Sequence, residues 1–450
     1  MLSRHISFLL LLAACADRTV TAAPPSPSGE QVTTVPISVS NRLDLLFVID
    51  DSASMGEEQA LLAANFPRFI DELYNEEGDL PDLHIGVVSS DLGIAPYELQ
   101  QDQGDCLGDG KDGALLRGPD GVDCQITDAS RYLVDTSDPD GAIRNYPDGQ
   151  LAETFACMAQ LGTNGCGFER HLEAMERALT DQPLNDGFLR DDAVLAIVFI
   201  ADEDDCSALD PDLFEPGEGA LGPFQDFRCF EHGVVCDGDD PRAPGLKSGC
   251  RPREDSEWVT PVSHFVEAVR GLKSNPDRDI VVAGILGDAE PVAVEERTDD
   301  WALVPSCETA GIGKADPAIR LRAFLDGFPG SSTAQTICPA DEDLSHAMEQ
   351  IGEAVRVKLG SFCIAGDLAD ADPAADGVQP ICSVSEFVNH NRPGERENLL
   401  GACDDVDERP CYRIVEDAEA CTDDLQLKLV IERDEPPAPE TTVVARCQLR

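Results

Sequence analysis

The sequence predicts an open α/β sheet, doubly wound and mostly parallel, with helices on both faces. The first sign is four near-continuous apolar runs: Leu43–Asp50 (LDLLFVID), Leu83–Ser90 (LHIGVVSS), Val194–Ala201 (VLAIVFIA) and Ile280–Gly287 (IVVAGILG). Strands covered on both sides read this way, because neither face meets water. The second sign is helical periodicity between or after those runs, over Glu57–Leu73, Phe168–Leu179, Trp258–Leu272, Pro317–Leu325 and Leu344–Leu359. Strand alternating with helix is the order from which parallel sheets are built.

Taken from the N-terminus, Arg4 and His5 precede a short apolar stretch, Ile6 to Leu12, and then Leu12-Ala13-Ala14-Cys15. This is similar to an export signal ending in a bacterial lipobox, with residues 1–14 removed and Cys15 lipidated. By that resemblance, Ala16 in place of Asp implies a lipoprotein of the Gram-negative outer membrane. Residues 15–40, with Pro24, Pro25, Pro27 and Pro36, read as a tether. The predicted sheet domain then runs over residues 41–360. Two long insertions interrupt it, at 97–149 and 210–253, and loops of that length are either functional or stapled. After Ser361 the composition changes. Residues 361–450 read as a small cysteine-rich region, partly β, with strand-like runs at Tyr412–Val415, Leu425–Glu432 and Thr441–Arg446.

The chain carries 33 basic and 87 acidic residues, a formal net charge of −54. A field of that sign repels phosphate, which argues against nucleic acid as a partner. A hydrophobic content of 42% is enough for a sizeable core, so the charge does not imply disorder. Of 17 cysteines, setting aside Cys15 leaves sixteen, which in an exported chain read as up to eight disulfides. The local pairings expected are Cys106 with Cys124, Cys157 with Cys166 and Cys307 with Cys338. Cys206, Cys229, Cys236 and Cys250 are expected to pair among themselves. The chain has no HExxH helix, no GxSxG elbow and no phosphate-binding P-loop, so the familiar enzyme signatures are missing.

The chemistry concentrates where the first strand ends, in Asp50-Asp51-Ser52-Ala53-Ser54-Met55-Gly56. Side-chain oxygens alternate at Asp50, Ser52 and Ser54 before a helix begins. Carboxylates and hydroxyls are hard ligands that suit magnesium, manganese or calcium. In open α/β sheets, ligands bind beyond the carboxyl ends of the strands, which is where this loop falls.

This pattern resembles the von Willebrand factor type A (VWA) domain, whose metal-ion-dependent adhesion site (MIDAS) reads DxSxS. The resemblance implies two further ligands. Thr163 fits the first, within Gly162-Thr163-Asn164-Gly165-Cys166-Gly167 ahead of a predicted helix; Asp202, directly after the Val194–Ala201 run, fits the second. Glu203, Asp204 and Asp205 follow Asp202 where the family often has Gly, so extra acids stand ready for a second cation or for altered metal selectivity. A looser acidic set, Asp370, Asp372 and Asp376, lacks the downstream acid of an EF-hand and reads as a solvated loop.

The expected function is that of a non-enzymatic cell-envelope lipoprotein. It would bind a protein ligand through a divalent cation, most simply magnesium, with the ligand donating a carboxylate. The alternative is a structural, calcium-binding envelope lipoprotein whose metal site is vestigial. By family analogy, ligand binding would move the last helix, Leu344–Leu359.

Overall fold

The computed structural model describes residues 30–36, 42–74, 80–100, 105–136, 143–217, 221–238, 240–298, 300–340, 343–359, 363–364, 368–371, 379–388, 396–404, 406, 409–416, 427–433 and 441–448. Cys15 and the expected signal lie outside the described residues, as do Asp372 and Asp376.

A central sheet of seven strands organises the chain. Its strands, labelled in chain order, are β1 (Arg42–Ile49), β2 (Asp82–Ser89), β3 (Leu133–Thr136), β4 (Ile143–Arg144), β5 (Val194–Ala201), β6 (Ile280–Leu286) and β7 (Ser332–Thr336). In space they run β7-β6-β5-β1-β2-β3-β4. The five from β7 to β2 are mutually parallel. β3 and β4 close one edge in antiparallel fashion. All four apolar runs read from the sequence are central strands. The strands the sequence did not reveal, β3, β4 and β7, are short and half-polar, as edge strands commonly are.

The helices are α1 (Gly56–Leu73), α2 (Leu151–Ala159), α3 (His171–Thr180), α4 (Phe227–Gly233), α5 (Val262–Gly271), the one-turn α6 (Pro276–Asp279), α7 (Ile319–Asp326) and α8 (Ser345–Leu359). Side chains of β1 alternate between two cores, as a strand's period of two requires. Leu43, Leu45, Phe47 and Ile49 pack with α1, α2 and α8, while Leu46 and Val48 pack with α3, α5 and α7. On α1 the stripe Leu62, Phe66, Phe69, Ile70 and Leu73 follows the helical repeat and faces the sheet. Its aromatic rings join Phe47 and Phe155 in one cluster.

Several helices begin later than their periodicity suggests. α3 starts at His171 rather than Phe168, because Phe168 is taken into a separate cluster with Phe214 and Phe224. α5 starts after Pro261, which has extended backbone at the helix entry, so Trp258 lies outside it. Proline also biases the residue before it away from helical backbone.

Seven disulfides join described residues. Cys307–Cys338, Cys206–Cys229 and Cys236–Cys250 agree with expectation. The other local pairing is corrected: Cys106 bonds Cys166 and Cys124 bonds Cys157. The first insertion folds back over the β2 end of the sheet, so nearness in sequence does not decide the partner. Among the described residues after Ser361 the regular structure is β, in two small sheets around one apolar cluster. Part of the stretch expected as a tether is itself a strand, since Glu30–Pro36 pairs antiparallel with Thr441–Gln448.

At the amino end of the sheet, Asp44 on β1 is fully buried beside Arg190. Arg190 Nε reaches Asp44 Oδ1 at 2.7 Å and its backbone amide reaches Oδ2 at 2.6 Å. The same guanidinium donates to the carbonyls of Leu43 and Asp82, tying β1 to β2. Burial pushes the Asp44 carboxyl up to about 6 even though Arg190 opposes the shift. An Arg190→Ala variant strands that carboxyl and is expected to lose about 3–5 kcal/mol in urea unfolding at pH 7.5. With a raised pKa, the buried acid costs stability as pH rises through about 6. Without Arg190 to oppose burial the carboxyl titrates higher still, so the deficit of the variant should shrink as pH falls towards about 6 and level off below it. A deficit independent of pH would show that Arg190 acts only through the carbonyls.

Candidate functional site

The strand order changes direction at β1. From β1 the chain moves outward to β2 and returns on the other side at β5. The carboxyl ends of β1 and β5 therefore flank a topological switch point, with Ile49 paired to Ile200. Asp50 and Asp202 are the next residues on the two strands, at 0% and 3% exposure. The Asp50 amide donates to Ile200 O at 3.0 Å, so the two strand ends are bonded at the site itself.

The loop after β1 turns tightly because Asp50 Oδ1 accepts the Ser52 amide at 2.7 Å. That turn brings the Ser52 and Ser54 hydroxyls to 3.1 Å from each other, Ser52 buried and Ser54 exposed. Ser54 and Asp202 line the same groove. Four of the five residues singled out in sequence are thus brought together. Thr163 stands at the exposed rim over the start of α1, its methyl group packed toward Gly56. Among the described residues its hydroxyl makes no hydrogen bond to Asp50, Ser52 or Ser54.

The loop carrying Thr163 is fastened on both sides. Gln59 of α1 donates through Nε2 to Asp50 O at 2.8 Å and to Gly162 O at 3.0 Å, and its Oε1 accepts the Gly162 amide at 3.1 Å. Gly165 donates to Asp51 O at 2.7 Å. A Cβ at Gly165 would stand 2.2 Å from Asp51 Oδ1, so only glycine permits this approach. Both loops that meet here are also cross-linked, through Cys106–Cys166 and Cys206–Cys229.

Electrostatically the site is overloaded with negative charge. Asp50 Oδ2 and Asp202 Oδ1 are buried with no hydrogen-bond partner. Burial, followed by the charge of Asp50, pushes the Asp202 carboxyl well above the usual range, against the pull of Ser54. Three further acids were missed in sequence. Glu58, on the first turn of α1, is 2% exposed and is pushed to about 7 by burial, then by the charges of Glu57 and Asp50. Its Oε1 rests where a side chain on Gly313 would sit. Asp51 points into the sheet, where Ser89 Oγ donates to it at 2.7 Å; it too is raised to about 7, mainly by burial. Glu169, 2% exposed, has Oε1 unpartnered.

His171, the first residue of α3, is fully buried and reaches this cluster. Its Nε2 lies 3.5 Å from Asp50 Oδ2, and neither ring nitrogen has a hydrogen-bond partner. An acid on a first helical turn ordinarily reads as a complement to the helix dipole, so Glu58 gave no separate signal. Glu169 and His171 match no motif; the fold alone brings them in.

Buried carboxylate oxygens without partners are rare, because each costs the desolvation of a charge. Alternating hard oxygen donors, two of them orphaned, fit a divalent cation. Asp50, Ser52, Ser54 and Asp202 would hold it. The site opens on a groove of about 380 Å³ between Ser54, Glu57, Glu58 and Asp202 on one side and the 308–314 hairpin on the other. By contrast, Cys403, Cys411 and Glu432, which cluster at metal-binding distances, are no site, since the two cysteines are bonded to each other.

No protein-family model matches the chain, and no curated protein matches it. Among solved structures, it is similar to the pilus adhesin SpaC of Lactobacillus rhamnosus GG, at TM-score 0.30 and 9% identity over 95% of this chain and 42% of that one. It is likewise similar to the pilus adhesin RrgA of Streptococcus pneumoniae, at TM-score 0.30 and 11% identity over 93% of this chain and 58% of that one. The type V pilus tip protein Mfa5 of Porphyromonas gingivalis follows at TM-score 0.26 and 12% identity, over 95% of this chain and 69% of that one. The chain spans about half the length of the first two. Likeness this distant transfers neither fold nor function.

Gln59 is the connector between the two loops. A Gln59→Ala variant leaves Asp50 O and both backbone groups of Gly162 short of a partner, and is expected to lose about 1–3 kcal/mol in denaturant unfolding. Limited proteolysis should then cut first within residues 160–165. A variant with wild-type stability and cleavage pattern would show that the loops hold each other without Gln59.

Proposed function

We propose that this chain is a divalent-cation-dependent binding protein of the VWA type, non-enzymatic, anchored in the outer membrane through Cys15. It would take a protein ligand that presents an Asp or Glu side chain. The observation that supports this most is the pair of buried, partnerless oxygens, Asp50 Oδ2 and Asp202 Oδ1, at adjacent strand ends of a switch point. The anchoring in this reading rests on the Leu12–Cys15 motif, and no described helix is long and apolar enough to cross a membrane.

A magnesium ion, or manganese or calcium in its place, supplies an electrophilic centre that accepts a carboxylate from outside. The chain's residues prepare that centre. Asp50 is locked by the Ser52 amide so that Oδ1 is occupied and Oδ2 is left for the ion. Ser52 and Ser54 contribute neutral oxygens, which keeps the number of charged ligands low. Asp202 would add a ligand from the end of β5, the strand beside β1. Glu57, Glu58 and Glu308 make the groove around it acidic, so without a cation an acidic ligand would be repelled.

The test is thermal unfolding of the full chain in magnesium and in chelator. Magnesium at a hundredfold excess over Kd should stabilise the wild type by about 2.7 kcal/mol. Asp50→Ala should abolish that increment while keeping the chelator-state melting temperature within a few degrees or raising it, because a buried charge without a partner is removed. If Asp50→Ala retains the full increment, magnesium binds elsewhere and the reading fails.

A further inference from the structure

The ligands expected at the Asp50 loop are all oxygens, and one of them, Thr163, stands at the exposed rim. The structure adds a nitrogen. His171 opens α3 and is 0% exposed. Its Nε2 lies 3.5 Å from Asp50 Oδ2. Among the described residues neither ring nitrogen has a hydrogen-bond partner, and neither does Asp50 Oδ2. A buried imidazole ordinarily pairs with a carbonyl or carboxylate, because leaving it unpaired costs the desolvation of the ring nitrogens. His84, toward the other end of the sheet, does so, with Nδ1 2.9 Å from Phe188 O. His171 makes no such bond although a carboxylate stands beside it.

The backbone around His171 is fixed on both sides of β1. Just before it, the Arg170 amide donates to Ser90 O at 3.0 Å, beyond β2, and Glu169 O accepts the Cys206 amide at 2.7 Å, beyond β5. Just after it, the Leu172 amide donates to Asp205 Oδ1 at 2.9 Å and the Glu173 amide to Ser207 Oγ at 3.0 Å. The first turn of α3 is thus pinned between the strand ends that flank β1, and the ring is held against Asp50. Two atoms that share one ion at bonds of about 2.0–2.2 Å can stand 3.5 Å apart, at an angle of roughly 110–115°. Magnesium and calcium prefer oxygen donors, whereas an imidazole nitrogen favours zinc and its neighbours in the transition series.

We propose that His171 is a ligand, through Nε2, of the cation that Asp50 holds, and that this nitrogen makes the site select zinc-class ions over magnesium and calcium. The inference rests on the cation site proposed above and names its metal class. A neutral nitrogen adds affinity without adding negative charge, so the ion remains able to accept a carboxylate from outside.

The test compares cobalt, as the stand-in for zinc, with magnesium by calorimetry on the full chain, with disulfides formed and no added histidines. Oxygen ligands alone already rank cobalt above magnesium, so the readout is the change in the ratio of the two affinities. His171→Leu should weaken cobalt binding by about tenfold or more and leave magnesium within about twofold of wild type. His171→Gln, which keeps a polar side chain but no imidazole, should lose the cobalt preference in the same way. In chelator, His171→Leu should melt no lower than wild type, since it removes a buried ring that has no partner. An equal loss of both metals would show that the ring only positions Asp50, and an unchanged cobalt affinity would show that it takes no part; either result overturns the proposal. Asp50→Ala separates this inference from the reading beneath it. If Asp50→Ala abolishes binding of both metals while His171→Leu leaves the ratio unchanged, the inference falls and the cation site stands. If Asp50→Ala binds both metals as wild type does, or wild type binds neither, both fall.

Discussion

The structure depends on the junction of β1 and β5, where two parallel strands end side by side and each delivers a buried aspartate. The sheet fixes the positions of Asp50 and Asp202 through the Ile49–Ile200 register, and the amide of Asp50 is itself part of the ladder to β5. Two carboxyl groups are therefore held in a place where their burial stabilises nothing on its own. Gln59 bridging two loops, glycine at 165 and a disulfide on each flank all serve to keep that arrangement from relaxing.

Charge is handled differently at the two ends of the sheet. At the amino end, Asp44 is matched by Arg190 and the carbonyls around it, which makes a closed and purely structural contact. At the carboxyl end lie Asp50, Glu58, Glu169 and Asp202, and the imidazole of His171, 3.5 Å from Asp50 Oδ2, has no hydrogen-bond partner among the described residues. A fold that can satisfy a buried aspartate at one end and leaves several unsatisfied at the other has its functional end marked by that asymmetry. Asp204 and Asp205 sharpen the contrast, since they sit beside Asp202 and are fully used in holding α7.

Much of this was legible in the sequence because it rests on local pattern. The buried parallel strands are continuous apolar runs, and Asp50, Ser52 and Ser54 alternate within one turn, so both could be read directly. Asp202 was legible because it follows a strand so apolar that its end is unmistakable. What remained hidden is long-range. Glu58 looks like an ordinary first-turn acid. Glu169 and His171 come between a loop and a helix whose start shifts when Phe168 leaves for another cluster. Disulfide partners in the first insertion depend on how some 50 residues fold back, and proximity in sequence pointed to the wrong ones. Short polar edge strands such as Ser332–Thr336 carry too little apolar alternation to register.

The central claim is that the loop at Asp50 coordinates a divalent cation. The most direct measurement is anomalous diffraction at the manganese edge from crystals of the full chain grown with manganese. The account predicts a peak within about 2.0–2.6 Å of side-chain oxygens of Asp50, Ser52 and Ser54. A fully occupied peak elsewhere, with the Asp50 loop ordered and no anomalous signal beside it, would contradict the account.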